Sequence, residues 1–524
     1  MLYNGKVSIH YYEEVMNMNT TNFLIIAAIV VYLLAMLAVG FLFSKRTSSS
    51  EDFYLGGRKM GPLVTAMSAE ASDMSSWLLM GLPGVAYLSG VADAAWTAIG
   101  LGVGTWLNWY FVSRRLRRYS QNIGAITVPD FFSKRYHDKS NTLNALAALV
   151  IIIFFIPYTA SGFAACGKLF NSLFGVDYTT AMIVAALVIV GYTIMGGFGA
   201  VSTTDLIQSI VMTVALISVL TYGISNAGGW DAVVDNARSL PGYLSMTASH
   251  DVTTGGSVSY SALSIASCLA WGFGYFGMPH ILLRFMAIED EKKLVLSRRI
   301  ATVWVFIAMA VAITIGIVGL GMTKAGSLEF LEGSTSETII VRIAGLISGH
   351  GILTAILAGV ILAGILAATM STADSQMLAA ASSVSQNIVQ DFLHIKLNEK
   401  QSLIVARITI AAIAILGIFL ARDPNSSVFG IVSFAWAGFG GAFGAVMLCA
   451  LFWKRSNKWG ALAGMFAGGA TVFIWKYLVR PIGGVWNIYE LLPAFFVSLL
   501  FIIVVSLLTA TPDAEQIREF EAAK

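Results

Sequence analysis

Apolar runs long enough to cross a bilayer recur along the whole chain and are separated by shorter polar connections. About 20 apolar residues span the hydrocarbon core of a membrane as a helix. Runs of that length occur at 22–44, 61–88, 94–113, 143–170, 178–197, 205–225, 261–283, 300–323, 352–386, 403–421, 427–452, 459–477 and 486–509. The pattern predicts an all-α polytopic membrane protein with about thirteen transmembrane helices.

The polar segments leave one large transmembrane domain with two short ends. We expect residues 1–21 to form a short extracytoplasmic extension without an assigned role, residues 22–510 to form the transmembrane domain, and residues 511–524 to form a cytoplasmic tail. The longest connection on the outer side, about 226–260, is rich in Gly, Ser and Thr and is too short for a second folded domain.

Composition excludes a soluble protein of this length, because 57% of the residues are hydrophobic, 12% are charged and the mean hydropathy is +0.77. The three cysteines all lie in apolar runs, which predicts buried thiols rather than a disulfide framework. Most of the 32 Lys and Arg residues fall in alternate connections beginning with 45–60. The positive-inside rule therefore predicts an outside N-terminus and a cytoplasmic C-terminus. The expected surrounding is a lipid bilayer, and no nucleic-acid partner is expected.

The run at 61–88 carries two carboxylates, Glu70 and Asp73, among four serines. An ionised Asp at mid-membrane costs about 2.5 to 3.5 kcal/mol on insertion scales, so such a residue usually has a function. Small residues around Asp73 and the Gly-Leu-Pro-Gly sequence at 81–84 predict an interrupted helix with free carbonyl groups. We interpret this segment as an ion or solute site.

Two further runs carry polar or helix-breaking patterns. Three glycines and a proline between Trp271 and His280 predict a second interrupted helix, with Trp271, Tyr275 and Pro279 at i, i+4 and i+8 on one face. An aromatic face of this kind suits a small solute with an apolar body and a charged amine.

The run at 352–386 brings oxygen atoms together on one helix face. Ala368, Ser371 and Thr372 lie at i, i+3 and i+4, so one carbonyl and two hydroxyl groups converge. Oxygen ligands of low total charge suit a hard monovalent cation such as Na⁺, whereas transition metals prefer His or Cys.

The sequence resembles the sodium/solute symporter family over about residues 22–510. The motifs that carry the resemblance include Ala-Ser-Asp-Met-Ser at 71–75, Trp-Gly-x-Gly-Tyr-Phe-Gly-x-Pro-His-Ile at 271–281 and Ile-Leu-Ala-Ala-x-Met-Ser-Thr at 365–372. Further matches are Leu-Gly-Gly-Arg at 55–58, Tyr-x-Ala-Ser-Gly at 158–162, Thr-Asp-x-x-Gln at 204–208 and the sequence at 433–440. The likeness is strongest to the proline carriers of bacteria. The resemblance implies a LeuT-like fold of two five-helix inverted repeats, about 61–225 and 261–452, with discontinuous helices at spans 2 and 7.

The resemblance also implies roles for individual residues in Na⁺-coupled uptake of L-proline across the bacterial inner membrane, for which a monomer suffices. The implied sodium site comprises Ala71, Asp73, Met74, Ala368, Ser371 and Thr372. The implied proline pocket comprises Ser75, Trp77, Gly81, Tyr158, Trp271, Tyr275, Met278 and Pro279. Arg58 and Asp205 match positions for gating and coupling. Met278 and Ser76 depart from the family's usual Gln and Gly, which leaves a related solute as the alternative.

Several other interpretations stay open at the level of sequence. Glu70 fits either a place in the cytoplasmic vestibule or a pairing with a basic residue, and Arg407 and Asp374 are interpreted as partners of each other. A membrane enzyme is disfavoured because no acid–base or nucleophile motif occurs, and a channel because two dissimilar broken helices favour alternating access. A proton-coupled carrier or a carrier of another amino acid, a carboxylate or a sugar is the remaining alternative.

Overall fold

The computed structural model describes residues 3–44 and 50–524 of the chain. In the first half the helices are α1 (Tyr3–Ser44), α2 (Ser50–Leu55), α3 (Pro62–Ser76), α4 (Leu82–Ser89), α5 (Val91–Leu107), α6 (Ser113–Asn122), α7 (Val128–Arg135), α8 (Thr142–Phe174), α9 (Tyr178–Asn226) and α10 (Trp230–Ser239). Two strands follow, β1 (Ala248–Asp251) and β2 (Gly256–Ser259), which form an antiparallel hairpin within the long 226–260 connection.

The second half continues the helical pattern. Its helices are α11 (Ala262–Leu269), α12 (Pro279–Ala287), α13 (Leu294–Lys324), α14 (Ile339–Ser348), α15 (Ile352–Ser382), α16 (Glu399–Leu420), α17 (Val428–Phe439), α18 (Ala445–Phe452), α19 (Lys458–Ile474), α20 (Leu491–Leu508) and α21 (Ala514–Ala522). Short π-helical or 3₁₀ turns extend or join several of them, notably at 77–81, 108–112, 270–277, 383–392, 440–444 and 475–479.

All thirteen predicted apolar runs lie in helices, although not all as single long helices. Among the described residues, nine helices are long and apolar enough to cross a membrane, and Tyr178–Ile194 and Ala262–Gly277 are shorter apolar helices. A break at Gly197, where φ is 63°, divides α9 into two parts that correspond to the runs at 178–197 and 205–225. The all-α membrane class therefore agrees with the prediction, whereas the count of thirteen spans stays a prediction.

The first predicted interruption lies at Ser75. This residue has φ 48° and ψ −171° within α3, a conformation that does not continue a helix, and a π-helical turn over 77–81 leads on into α4. A break in the helical ladder frees backbone carbonyl groups just before it. The peptide groups beside Asp73 are therefore available to a ligand.

The second predicted interruption lies between α11 and α12. The 270–277 segment is a 3₁₀ helix, Met278 is extended with φ −76° and ψ 108°, and Pro279 begins α12. Proline suits the first turn of a helix because it has no backbone N–H to leave unpaired. A Cβ on Gly272 would lie 2.5 Å from the carbonyl oxygen of Gly100, so only glycine at this position permits the 270–277 segment to approach α5 so closely.

Helix α15 is the central element of the described structure. It packs against α1, α3, α8 and α9, and every residue from 361 to 382 is buried. The 270–277 segment packs against α5, α17 and the 440–444 turn, and Tyr275 reaches Asp73 on α3, so residues of three distant segments meet at the α3 break. The predicted residues on α3 and α15 face each other as a consequence.

Candidate functional site

A cluster of oxygen atoms joins α15 to the broken helix α3. The Ser371 hydroxyl donates to the carbonyl oxygen of Ala71 at 2.7 Å and lies 3.2 Å from the carbonyl oxygen of Ala368. The Thr372 hydroxyl also lies 3.2 Å from the Ala368 oxygen. Among the described residues there is no group of three or more His, Cys, Asp or Glu side chains placed to hold a metal ion. Carbonyl and hydroxyl oxygens without thiolate or imidazole suit Na⁺ rather than a transition metal.

Asp73 lies two residues beyond Ala71 and connects three segments of the chain. The Tyr275 hydroxyl donates to Asp73 Oδ2 at 2.5 Å, and the Tyr158 hydroxyl donates to the Asp73 carbonyl at 3.2 Å. The side chain is 5% exposed. Because a charged carboxylate is unstable without partners at this depth, the Tyr275 hydroxyl stabilises it and fixes its orientation, whereas the Tyr158 hydroxyl holds the backbone of the same residue.

Next to Asp73 lies a small cavity with an aromatic wall. It has a volume of about 10 Å³, close to that of one water molecule. Its lining residues are Asp73, Met74, Trp77, Leu101, Tyr158, Trp271, Val432 and Trp436. The Trp77 and Trp271 rings lie 5.8 Å apart between centroids, and Asp73 is the one charged residue among those that line the cavity. A larger solute requires the aromatic rings to move apart.

The structure places three predicted pocket residues, Trp77, Tyr158 and Trp271, around this cavity, together with Asp73 of the predicted sodium site. The other predicted pocket residues are buried but do not line it. Tyr275 orients Asp73, and the Ser75 hydroxyl accepts a hydrogen bond from the backbone N–H of Trp77 at 3.1 Å. A Cβ on Gly81 would lie 3.3 Å from the Trp77 ring. Met278 and Pro279 are buried at the second break without lining the cavity.

A polar vestibule lies directly on the other side of Trp271. It encloses about 240 Å³ and includes Asp93 and Arg480 in its lining. Asp93 accepts from the Tyr260 hydroxyl at 2.8 Å and from the Cys268 thiol at 3.0 Å. Trp271 belongs to both spaces, so it separates the vestibule from the cavity.

Arg58, the residue predicted for gating, contacts two other segments of the chain. Its guanidinium group donates to the carbonyl oxygens of Met286 at 2.8 Å, Ala125 at 2.5 Å and Ser120 at 3.3 Å. These acceptors come from two separate connections, both predicted to be cytoplasmic. One side chain therefore joins the two connections, and its gating role stays a prediction.

A model of the family described as "Sodium:solute symporter family" matches residues 53–468. The chain belongs to this family. Curated symporter relatives cover nearly its whole length. The osmoregulated proline transporter OpuE of Bacillus subtilis is 39% identical over 95% of this chain and 97% of its own length. The sodium/proline symporter of Escherichia coli is 39% identical over 94% of this chain and 95% of its own.

Solved transporter structures share the fold of this symporter. A Na⁺-coupled sialic acid symporter in a substrate-bound, outward-open state has a TM-score of 0.76 at 18% identity, covering 94% of this chain and 99% of its own. MhsT in complex with L-phenylalanine has a TM-score of 0.52 at 13% identity, covering 85% and 98% respectively. The family resemblance and the LeuT-like fold class predicted from sequence are confirmed, and Na⁺ is the ion of the family.

The symporter also contains a buried charge network around Asp205. Asp205 Oδ2 accepts from the Ser68 hydroxyl at 2.6 Å and from Arg284 at 3.1 Å. Arg284 donates further to the Ser375 hydroxyl at 2.5 Å. Arg284 directly follows the apolar run at 261–283, and its side chain is 1% exposed within α12. Its charge is compensated by Asp205, which is far from Arg284 in the sequence.

Two sequence interpretations of charged residues need correction. Asp374 accepts from the Tyr192 hydroxyl at 2.7 Å and is fully buried, whereas Arg407 is exposed, so the proposed pairing of Asp374 with Arg407 is wrong. Glu70 is buried and accepts from the Trp109 indole N–H at 2.9 Å, rather than from a basic residue.

Three cavity residues escaped sequence reasoning. Leu101 and Val432 are ordinary apolar residues of their helices and carry no local signal. Trp436 does carry one, since it belongs to the 433–440 motif that matches the family. Its indole N–H donates to the Trp271 carbonyl at 2.7 Å and its ring lies 5.1 Å from that of Tyr275.

Proposed function

We propose that the protein carries L-proline together with Na⁺ by alternating access. The observation that supports this most directly is the adjacency of the two sites, because Ala71 of the oxygen cluster and Asp73 of the aromatic cavity lie two residues apart on one broken helix. A cation that binds the Ala71 carbonyl orders the same segment that positions Asp73. Ion and solute binding are coupled for that reason.

The chemistry of the cavity fits proline. Its secondary ammonium group suits Asp73 and the faces of the Trp77 and Trp271 rings, and its pyrrolidine ring suits the apolar wall. With Asp73 as the only charged lining residue, there is no partner for a charged side chain on the solute, and proline has none. The names of the relatives from Bacillus subtilis and Escherichia coli support the same solute.

The proposed cycle uses Trp271 on the vestibule side and Arg58 on the opposite side as the two barriers. The vestibule faces outward if the N-terminus is outside and the C-terminus is cytoplasmic, the orientation that the basic residues favour. All of the site residues belong to one chain, so a monomer is sufficient, and the cycle includes no chemical conversion of the solute. The membrane proposed is the bacterial inner membrane.

The driving force is adequate for uptake. A tenfold Na⁺ gradient contributes about 1.4 kcal/mol, and one charge moving through 100 mV contributes about 2.3 kcal/mol. One Na⁺ per solute therefore permits accumulation of several hundred-fold.

The test is uptake of labelled L-proline by proteoliposomes of the purified protein. We expect accumulation with an inward Na⁺ gradient and none when choline replaces Na⁺ at the same pH. Undiminished uptake in choline would contradict Na⁺ coupling and favour a proton-coupled carrier. If excess unlabelled proline fails to compete while uptake of another small solute stays Na⁺-dependent, the assignment of proline as the solute is wrong and Na⁺ coupling still stands.

A further inference from the structure

A groove on the membrane-facing side of the molecule lies behind the solute cavity. Its lining is mostly apolar and comes from four helices: Ile153, Ile156, Pro157 and Ala160 of α8, Leu420 of α16, Ser427, Gly430, Ile431 and Phe434 at the start of α17, and Phe473, Lys476 and Tyr477 at the end of α19. We call this surface the α8/α17/α19 groove. Its volume is about 670 Å³, within the range of sites for organic ligands.

The groove faces the bilayer. Phe473 and Tyr477 on its rim are 39% and 59% exposed, and the neighbouring Leu478 is 69% exposed. Side chains of this type lie in contact with lipid in a membrane protein, and their rings form a ladder in which Phe434 lies 5.3 Å from Phe473 and 6.1 Å from Tyr477. The medium that reaches the groove is therefore lipid acyl chain rather than water.

One end of the groove carries a single cationic side chain, Lys476. Lys476 Nζ lies 4.3 Å from the centre of the Phe434 ring and 3.8 Å from Glu490 Oε1. The same carboxylate accepts from Arg480 at 2.9 Å. Two cations thus share one buried carboxylate, and Arg480, which lines the vestibule, lies closer to it, so Lys476 is the cation of the groove whose charge is only partly compensated.

The groove shares its walls with the solute cavity. Pro157 lines the groove and Tyr158 lines the cavity, and on α17 Ile431 and Phe434 line the groove whereas Val432 and Trp436 line the cavity. A molecule in the groove therefore contacts the outer faces of the two helices whose inner faces surround the solute.

We propose that the α8/α17/α19 groove is a binding site for one anionic phospholipid, with its acyl chains against the apolar lining and its phosphate at Lys476. Charge complementarity selects an anionic headgroup over a zwitterionic one, because the phosphate of a zwitterionic lipid is already offset by its own ammonium group. A cation near the headgroup region contributes about 1 kcal/mol to the binding of an anionic lipid, which corresponds to about fivefold in occupancy.

The test is photo-cross-linking in vesicles of phosphatidylcholine that contain phosphatidylglycerol with a photoactivatable acyl chain. Peptide mass spectrometry locates the cross-links, and we expect them at 427–434 and 473–477. Lys476→Gln is expected to lower labelling there about fivefold, and Lys476→Arg to preserve it. Lys324→Gln is the matched control, because Lys324 is an exposed lysine at the end of α13 on the same predicted side.

A second variant tests the apolar part without changing charge. A Cβ at Gly430 meets only Ser427, at 3.6 Å, so Gly430→Leu fills the groove without displacing backbone. Labelling should fall in this variant although Lys476 is intact. Gel filtration establishes that each variant is folded and monodisperse before labelling.

Three results would each overturn the proposal. The first is labelling of Lys476→Gln equal to that of the wild type. The second is equal competition by unlabelled phosphatidylcholine and unlabelled phosphatidylglycerol, which would make the groove a general lipid contact. The third is protein–protein cross-linking between two copies through residues 473–477, which would make the groove an interface of this chain.

Discussion

Replacing Ser371 by alanine tests the proposed sodium site at the point where its two halves meet. The Ser371 hydroxyl lies 2.7 Å from the Ala71 carbonyl oxygen and 3.2 Å from that of Ala368, so a cation held by those carbonyl groups lies within reach of the hydroxyl oxygen. Alanine removes that ligand and leaves the carbonyl groups in place. We therefore expect weaker Na⁺ binding without loss of the fold.

The size of the effect follows from the free energy that a polar contact to a charged group contributes to binding. Such contacts contribute about 1.5 to 3 kcal/mol when the partner is ionised and buried. At about 1.4 kcal/mol per tenfold change, the Na⁺ concentration for half-maximal activity should rise between about 10-fold and 150-fold. Maximal uptake at saturating Na⁺ should change much less, because no lining residue of the solute cavity is altered.

The assay is labelled-solute uptake and equilibrium binding in proteoliposomes across a Na⁺ titration at constant pH and ionic strength. Ser382→Ala is the matched control, since Ser382 is buried on the same helix and donates only to its own helix, at 2.8 Å from the Ala379 carbonyl. If Ser371→Ala shifts the Na⁺ requirement no more than Ser382→Ala does, Ser371 is not a sodium ligand and the site has been placed wrongly.

Three further results are expected. Asp73→Asn should raise the Na⁺ concentration for half-maximal activity more than tenfold, because the charge that offsets the cation is gone. The protein should stay folded, since the amide oxygen still accepts from Tyr275. Unchanged Na⁺ affinity in the purified variant would show that Asp73 does not offset the cation. Trp271→Ala should raise the KM for proline about 2- to 30-fold, the range of cation–π contacts, and unchanged competition by proline would show that the ring does not contact the solute. Burial opposes ionisation of Asp138, but the hydrogen bond from Lys458 and further donors hold the pKa of its carboxyl below the usual value. A carboxyl with a lowered pKa stabilises the fold fully above about pH 4, and this contribution is lost as the pH falls through the folded-state pKa. Lys458→Met should therefore lower the thermal stability at pH 7 but not in acid, below the folded-state pKa. An equal loss of stability at pH 7 and in acid would contradict the pairing.

The sequence by itself determined the features that depend on local pattern. Apolar runs of spanning length require helices because a bilayer leaves backbone groups no other partner, and this held along the described chain. The breaks near Ser75 and before Pro279 followed from small residues, glycine and proline, and the convergence of Ala368, Ser371 and Thr372 followed from helical spacing. These are interactions over a few residues, which a single sequence contains.

Only the tertiary structure decided which distant residues meet. Tyr275 and Asp73 are 202 positions apart, yet their hydrogen bond determines that Tyr275 orients the carboxylate instead of lining the cavity. The burial of Arg284 beside Asp205, 79 positions away, carries no signal in the sequence. Trp436 reached the cavity because the packing of α17 against the 270–277 segment turned it inward. Helix periodicity gives the face of each helix but not the neighbour that this face meets, and that choice depends on the packing of the whole bundle.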